Sequence, residues 1–374
     1  MQAKPLDNVQ PPSTGLASQH LLEVRNLKMW FPRRSGLLGR NVSYTKAVDD
    51  VSFYIQRGET LGLVGESGCG KTTVGRCIMR VYQPTAGEIL YQADGAPQPI
   101  NLASLDRPAL KPYRQQIRLI FQDPYSSLNP RMTTFEIISE VLKVNKLVAD
   151  SELEDRVALL LRRVGLRPEY MRRYPHAFSG GERQRIVIAR ALATNPRLIV
   201  ADEAISALDV SIRAQILNLL KELQDEFGLT YLFIAHDLSV IRHICDRVSV
   251  MYVGKLVESA EATSLYAHPK HPYTEALMSA VPIQNPRQRN KQRRIRLEGE
   301  VADPSNPPTG CYFHPRCRYA KDVCAVNVPP LRRLEATGEV AERFVACHFA
   351  EELTLRGAIA DVPSVATMPK GREA

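Results

Sequence analysis

The stretch Leu61-Gly62-Leu63-Val64-Gly65-Glu66-Ser67-Gly68-Cys69-Gly70-Lys71-Thr72-Thr73 constrains this chain more than any other. An apolar run, a glycine-rich turn, a lysine and two hydroxyls follow one another without a break. Gly65 to Thr72 satisfies Gly-x-x-x-x-Gly-Lys-Ser/Thr, the pattern of a loop wrapped round a phosphate. The glycines let the backbone curl until several N–H groups face one anion, and the following helix adds its own unpaired N–H groups. In such a loop Lys71 reaches the terminal phosphates and the Thr72 hydroxyl is a ligand for Mg²⁺. Thr60 to Val64 reads as the strand before the loop; Val74, Cys77, Ile78 and Val81 form the stripe of the helix after it. Residues Gly65 to Thr73 are therefore a candidate nucleotide site.

Around this point the chain reads as an α/β protein. Leu21 to Val24 and Val51 to Ile55 alternate like strands, separated by a loop from Arg33 to Asn41, and predict a small antiparallel layer. Gly87 to Tyr91 is a further strand, and Arg118 to Gln122 reads as a strand inside a covered sheet. Residues 123–178 have helical patterns and form an expected insertion. Leu198 to Ala201 and Tyr231 to Ala235 are buried-strand runs, with the amphipathic stripe Ile212, Ile216, Leu219, Leu220, Leu223 and Phe227 between them. Val248 to Tyr252 and Lys255 to Ser259 make a hairpin around Gly254. Strands alternating with helices imply a parallel sheet with its ligand at the carboxyl ends of the strands. The phosphate loop, Gln122, Asp202-Glu203 and His236 all fall at such ends.

These residues suggest a division of labour. Asp202 partners Thr72 on Mg²⁺, Glu203 orients and polarises an attacking water, and Gln122 and His236 assist at the same edge. Phe178-Ser179-Gly180-Gly181-Glu182 opens a second helix whose N–H groups could face another phosphate. Past about residue 262 the composition shifts to proline, arginine, histidine and cysteine. Six of the ten residues from Arg287 to Arg296 are Arg or Lys, a pattern usual for a solvated linker. The domain reading is a lead-in over 1–20, a nucleotide-binding domain over 21–262, a small cysteine-containing domain over 263–350 and a tail over 351–374. No run approaches the ~18 apolar residues of a membrane helix, and the first twenty residues lack the apolar core of an export signal. The net charge of +9 permits nucleic acid, membrane or nucleotide as partner and selects none of them.

Taken together, these strings resemble the ATP-binding-cassette ATPases from about Leu21 to Ala262. Gly65 to Thr72 is similar to that family's Walker A loop, Gln122 to its Q-loop glutamine and Ser179-Gly180-Gly181 to its signature. Leu198 to Asp202 is similar to the Walker B strand, Glu203 to the catalytic base, Ser206-Ala207-Leu208-Asp209 to the D-loop and His236 to the switch histidine. The resemblance implies a head-to-tail dimer, each ATP lying between one subunit's Walker A loop and the other's signature. Phe31 falls at the adenine-stacking position, where tyrosine is commoner, with Trp30 and Tyr44 as alternatives. Glu182 stands where the family has glutamine.

Ser126-Ser127-Leu128-Asn129-Pro130-Arg131, His271-Pro272-Tyr273 and Asn306 to Cys317 further resemble the oligopeptide/dipeptide importers. That likeness implies a second ATPase subunit (a different chain first, a second copy as the alternative), two permeases and an external solute-binding protein. It places the chain at the cytoplasmic face of the membrane and implies no nucleic-acid partner. Nickel, opines or glycosides are alternative solutes. A soluble cassette acting on ribosomes usually has two cassettes or a coiled-coil insertion, and neither is visible; Lys71 and Glu203 argue against a non-hydrolysing regulator.

Seven cysteines without an export signal argue against a disulfide framework. Cys311, Cys317, Cys324 and Cys347 are separated by five, six and twenty-two residues, none of them the short spacing of a zinc ribbon. The importer resemblance points to a [4Fe–4S] cluster, with zinc or four plain thiols as alternatives. Cys69, Cys77 and Cys245 read as packing residues.

Overall fold

The computed structural model describes residues 20–35, 41–121, 123–206, 208–280, 295–334 and 342–358. Gln122, Ala207, most of the basic run, the expected lead-in up to residue 19 and the expected tail from residue 359 onward lie outside these residues.

The chain opens with a long antiparallel pair, β1 (His20–Ser35) and β2 (Asn41–Gln56), then passes through β3 (Thr60–Val64) into α1 (Lys71–Ile78). β4 (Ala86–Tyr91) and β5 (Ile100–Asn101) complete a four-stranded sheet of order β2-β1-β4-β5. Helix α2 (Arg107–Gln116) leads into β6 (Ile117–Ile120), followed by α3 (Pro124–Ser127), α4 (Thr134–Val144), α5 (Leu153–Arg163) and α6 (Gly180–Leu192). Next come β7 (Leu198–Asp202), α7 (Val210–Phe227), β8 (Thr230–Ala235), α8 (Leu238–Ile244), β9 (Arg247–Tyr252) and β10 (Lys255–Glu261). Beyond them lie α9 (Ala262–Ala267), α10 (Pro272–Ser279), α11 (Asp322–Val326) and the short strands β11 (Arg332–Arg333) and β12 (Phe344–Val345). The second sheet has the order β11-β12-β10-β9-β3-β8-β7-β6, parallel from β9 through β6.

Both faces of the parallel strands are covered, which is why they read as unbroken apolar runs. Leu61, Leu63, Leu198, Val200, Leu232 and Ile234 pack towards the antiparallel sheet and α1. Their alternates, Val64, Ile199, Ala201, Tyr231 and Phe233, pack with Ile186, Ile188, Ile216 and Leu220 of α6 and α7. Helix ends follow local chemistry: Thr133 and Glu136 close a capping box on α4, and α7 stops at Gly228 in the left-handed region.

Two sequence expectations need correction. The loop expected from Arg33 to Asn41 is shorter, because β1–β2 pairing continues out to Ser35↔Asn41. Backbone pairing, not apolar alternation, sustains that outer half of the ribbon, so its sequence carries little strand signal. The strand expected from Arg118 to Gln122 ends at Ile120, and it is an edge strand, paired within the sheet only to β7 among the described residues. Phe121 is accordingly exposed.

The C-terminal region joins the same sheet, since Val345 and Phe344 of β12 pair with Glu258 and Ser259 of β10. His271 is buried at the start of α10, where its Nδ1 accepts the Tyr273 N–H at 3.1 Å. Burial pushes its pKa down from 6.5 to about 3. Between those values the unfolded chain holds a proton that the folded one does not, so acidification below pH 6.5 removes stability. Buried Glu258 acts in the opposite sense: its raised pKa adds stability at low pH that is lost as pH rises. His271→Asn, which keeps a capping oxygen, should therefore flatten the acid limb of Tm against pH; an unaltered limb would place that titration elsewhere.

Candidate functional site

β3 ends at Val64 and the chain turns through Gly65 to Gly70 into α1. Gly65 has φ +153° and Gly70 +108°. A Cβ on Gly65 would lie 2.2 Å from the Met251 carbonyl oxygen, and one on Gly70 would lie 2.1 Å from that of Ala47. Neither position has room for a side chain. Lys71, only 5% exposed, donates from Nζ to the carbonyls of Gly65 (2.8 Å) and Glu66 (2.9 Å), so its ammonium lies within the loop's own curve. Thr72 Oγ1 donates to Asp202 Oδ1 at 2.9 Å, across 130 positions of sequence. Burial raises the Asp202 carboxyl above its ordinary range, and the Thr72 bond pulls it back. One hydroxyl and one carboxylate beside a phosphate loop are a hard oxygen donor set that fits Mg²⁺.

Sheet order brings the other candidates to this edge. β8 lies between β3 and β7, and the pairs Val64↔Ala235 and Asp202↔Ile234 set the three strand ends level. Glu203 turns sharply at φ +47°, its N–H donating to the Ile234 carbonyl at 2.9 Å. Its Oε1 comes to 3.3 Å from His236 Nδ1, so the two residues assigned separate roles from sequence touch each other. Ser206 Oγ donates to the Glu203 carbonyl at 2.9 Å, tying the D-loop segment to the same turn.

Ser179 caps α6 in a reciprocal box. Its Oγ accepts the Glu182 N–H at 3.3 Å, while Glu182 Oε2 accepts from the Ser179 N–H and hydroxyl, each at 2.9 Å. The Glu182 carboxylate is thus committed to its own helix cap. Gly180 faces Leu208, and a Cβ on Gly181 would lie 2.6 Å from Ile212 Cγ2, so the signature segment abuts the D-loop and the start of α7.

Residues 48–206 match the family model described as ABC transporter, and residues 257–324 the one described as oligopeptide/dipeptide transporter, C-terminal region. The oligopeptide transport ATP-binding protein AppF of Bacillus subtilis (strain 168) is 51% identical over 336 residues, covering 90% of this chain and 99% of its own. The chain belongs to the ABC transporter ATPases of the oligopeptide/dipeptide group. The putative oligopeptide transport ATP-binding protein YkfD of the same organism is also 51% identical, over 88% of this cassette and 95% of its own length. Among solved structures, an ATP-binding cassette dimer in a post-hydrolysis state bound to ADP and Pi is similar, with 29% identity and a TM-score of 0.55, over 64% of this chain and 98% of that one.

The cassette's aromatic candidates separate by face. Cross-strand pairs Trp30↔Lys46 and Pro32↔Tyr44 share one face of the β1–β2 ribbon, and Phe31↔Thr45 the other. The Phe31 ring meets Tyr82 edge-on at 5.4 Å, and Tyr82 accepts from Arg76 of α1 at 2.9 Å. Trp30 instead lies under Lys46 and beside Tyr44.

All four C-terminal cysteines line one small cavity, together with His271, His314 and His348. Burial raises the thiols of Cys311, Cys347 (to about 11) and Cys317 (to about 12). Among the described residues, however, no three His, Cys, Asp or Glu side chains are placed to hold a metal ion. That arrangement shows no ready ligand set for zinc or for an iron–sulfur cluster. Cys69, Cys77 and Cys245 are buried free thiols.

Three contacts have no counterpart in the sequence reading. Arg213 donates to Asp237 at 2.9 Å, linking α7 to the residue after His236, and Tyr273 and Arg316 both bind Glu66. Contacts over such separations leave no periodic trace.

Proposed function

We propose that this cassette is the ATP-binding and ATP-hydrolysing subunit that powers import of di- and oligopeptides through a membrane transporter. The observation that carries the reading is the meeting of Lys71, Thr72–Asp202 and Glu203–His236 at one sheet edge. Relatives matching nine-tenths of the chain are named for oligopeptide transport. Loop amides from Gly65 to Thr73 cradle the phosphates of MgATP, and Lys71 turns from its carbonyls to them. Thr72, Asp202 and Gln122 provide oxygen ligands for the substrate's Mg²⁺. Glu203 takes the proton of the attacking water, held in place by His236, while Phe31 stacks on adenine. Ser179 to Glu182, with the D-loop Ser206 to Asp209, serve the nucleotide of a second subunit, and the partner's segment completes this one.

No helix among the described residues is long and apolar enough to cross a membrane. The cassette's place in this reading is peripheral, on the cytoplasmic face beneath two permease subunits, with a different ATPase chain as partner and an external binding protein delivering solute. Affinity purification of the tagged chain from membranes tests this. Recovery of permeases, and ATP hydrolysis stimulated by peptide-loaded binding protein, are expected. Recovery of ribosomes or nucleic acid instead would overturn it, and stimulation by nickel-loaded protein alone would change the solute.

A finer reading concerns the cysteines. The likeness to the importers supports a [4Fe–4S] cluster on Cys311, Cys317, Cys324 and Cys347, which line one cavity, with zinc as the alternative. Anaerobic purification should give brown protein with iron and labile sulfide; colourless protein lacking both would remove the proposal.

A further inference from the structure

Among the described residues, hydrogen bonds from the C-terminal region reach the phosphate loop at Glu66. The Glu66 N–H donates to Tyr273 Oη at 2.8 Å, and its carboxylate receives both Arg316 terminal nitrogens at 2.8 and 3.2 Å. Its carbonyl accepts from Lys71 at 2.9 Å. Three chemically different groups of one loop residue are thus held, two of them by partners 207 and 250 positions away.

Both partners are themselves fixed. Tyr273 is buried, its ring against Tyr252 (4.7 Å) and Phe313 (5.3 Å), and its helix is capped by His271. The backbone N–H groups of Lys270 and His271 donate to the buried Glu258 carboxylate at 2.8 and 2.9 Å. The Arg316 side chain is 8% exposed, and Cys311 and Cys317 bracket the segment that carries it and Phe313.

The peptide unit between Gly65 and Glu66 is planar, so orienting its N–H also orients its carbonyl. That carbonyl is one of the two that hold Lys71. When Lys71 turns to phosphate the loop loses two of its own bonds; the Cys69 N–H still donates to the Glu66 carbonyl at 3.3 Å, and the Glu66 N–H and carboxylate are held from outside the loop by Tyr273 and Arg316. We propose that Tyr273 and Arg316 are positioning residues of the ATPase reaction, holding Glu66 so that the loop receives phosphate without rearranging. The inference rests on the nucleotide reading above.

The test uses the full-length chain, with MgATP titration, steady-state hydrolysis and Tm measured on each variant. Tyr273→Phe removes one oxygen and keeps the ring packing; it should raise Kd and KM for ATP about fivefold with kcat within about twofold. Arg316→Met should raise them about tenfold or more, and Arg316→Lys should recover part of the loss. In a Glu66→Gln background, Arg316→Met should add little, because the bond it removes is already weakened. A lower Tm with unchanged KM in both variants would make them structural braces and overturn the proposal. So would losses that are additive with Glu66→Gln. Wild-type protein that binds no ATP would instead refute the nucleotide reading itself.

Discussion

Glu203→Gln is expected to slow ATP hydrolysis by about two to three orders of magnitude while ATP affinity stays within a few-fold, the usual effect of losing a general base. The amide has nearly the carboxylate's shape and can still meet His236, now 3.3 Å from Glu203 Oε1, but it cannot accept a proton from water. Binding therefore survives and turnover does not. On the proposed reading hydrolysis reopens the pair of cassettes, so the variant should stay closed with its partner in the presence of ATP. A persistent ATP-dependent dimer by light scattering would show this. Normal turnover in Glu203→Gln would move the base to another residue.

The second large effect is on binding. Lys71→Ala should weaken MgATP binding by about 100-fold or more, since charge-assisted hydrogen bonds are worth about 1.5–3 kcal/mol each and one ammonium makes at least two to the phosphates. The buried position of Lys71 strengthens this expectation, because little water is at hand to replace it. The substitution also leaves the Gly65 and Glu66 carbonyls without their ammonium, so the loop itself should loosen. Nucleotide titration with a fluorescent ATP analogue reads the change directly. Unaltered affinity would show that the ammonium stays on those carbonyls throughout.

What was legible in the sequence follows from physics that is local or periodic. A phosphate loop needs glycines where an added Cβ would lie 2.2 Å from the Met251 carbonyl oxygen and 2.1 Å from that of Ala47, and these leave a string that can be read without a fold. The buried parallel strands show as apolar runs because both faces are covered, and a parallel sheet puts its ligand at their carboxyl ends. Hence Asp202, Glu203 and His236 could be placed at one edge, although their mutual contacts could not. Glu182 is a different case. Ser179-x-x-Glu182 is a capping-box string, and reading it as such would have explained the carboxylate. The outer half of the β1–β2 ribbon and the edge position of β6 were hidden because neither depends on apolar alternation. Tyr273 and Arg316 were hidden for a simpler reason: only the folded chain brings them to Glu66.

Peptide uptake by cells whose sole copy of this chain carries Glu203→Gln tests the central claim most directly. Loss of uptake of a radiolabelled tripeptide, with the transporter still assembled in the membrane, is the predicted result. Uptake at the wild-type rate would contradict it, since transport would then proceed without ATP hydrolysis at the site built by Lys71, Thr72, Asp202 and Glu203.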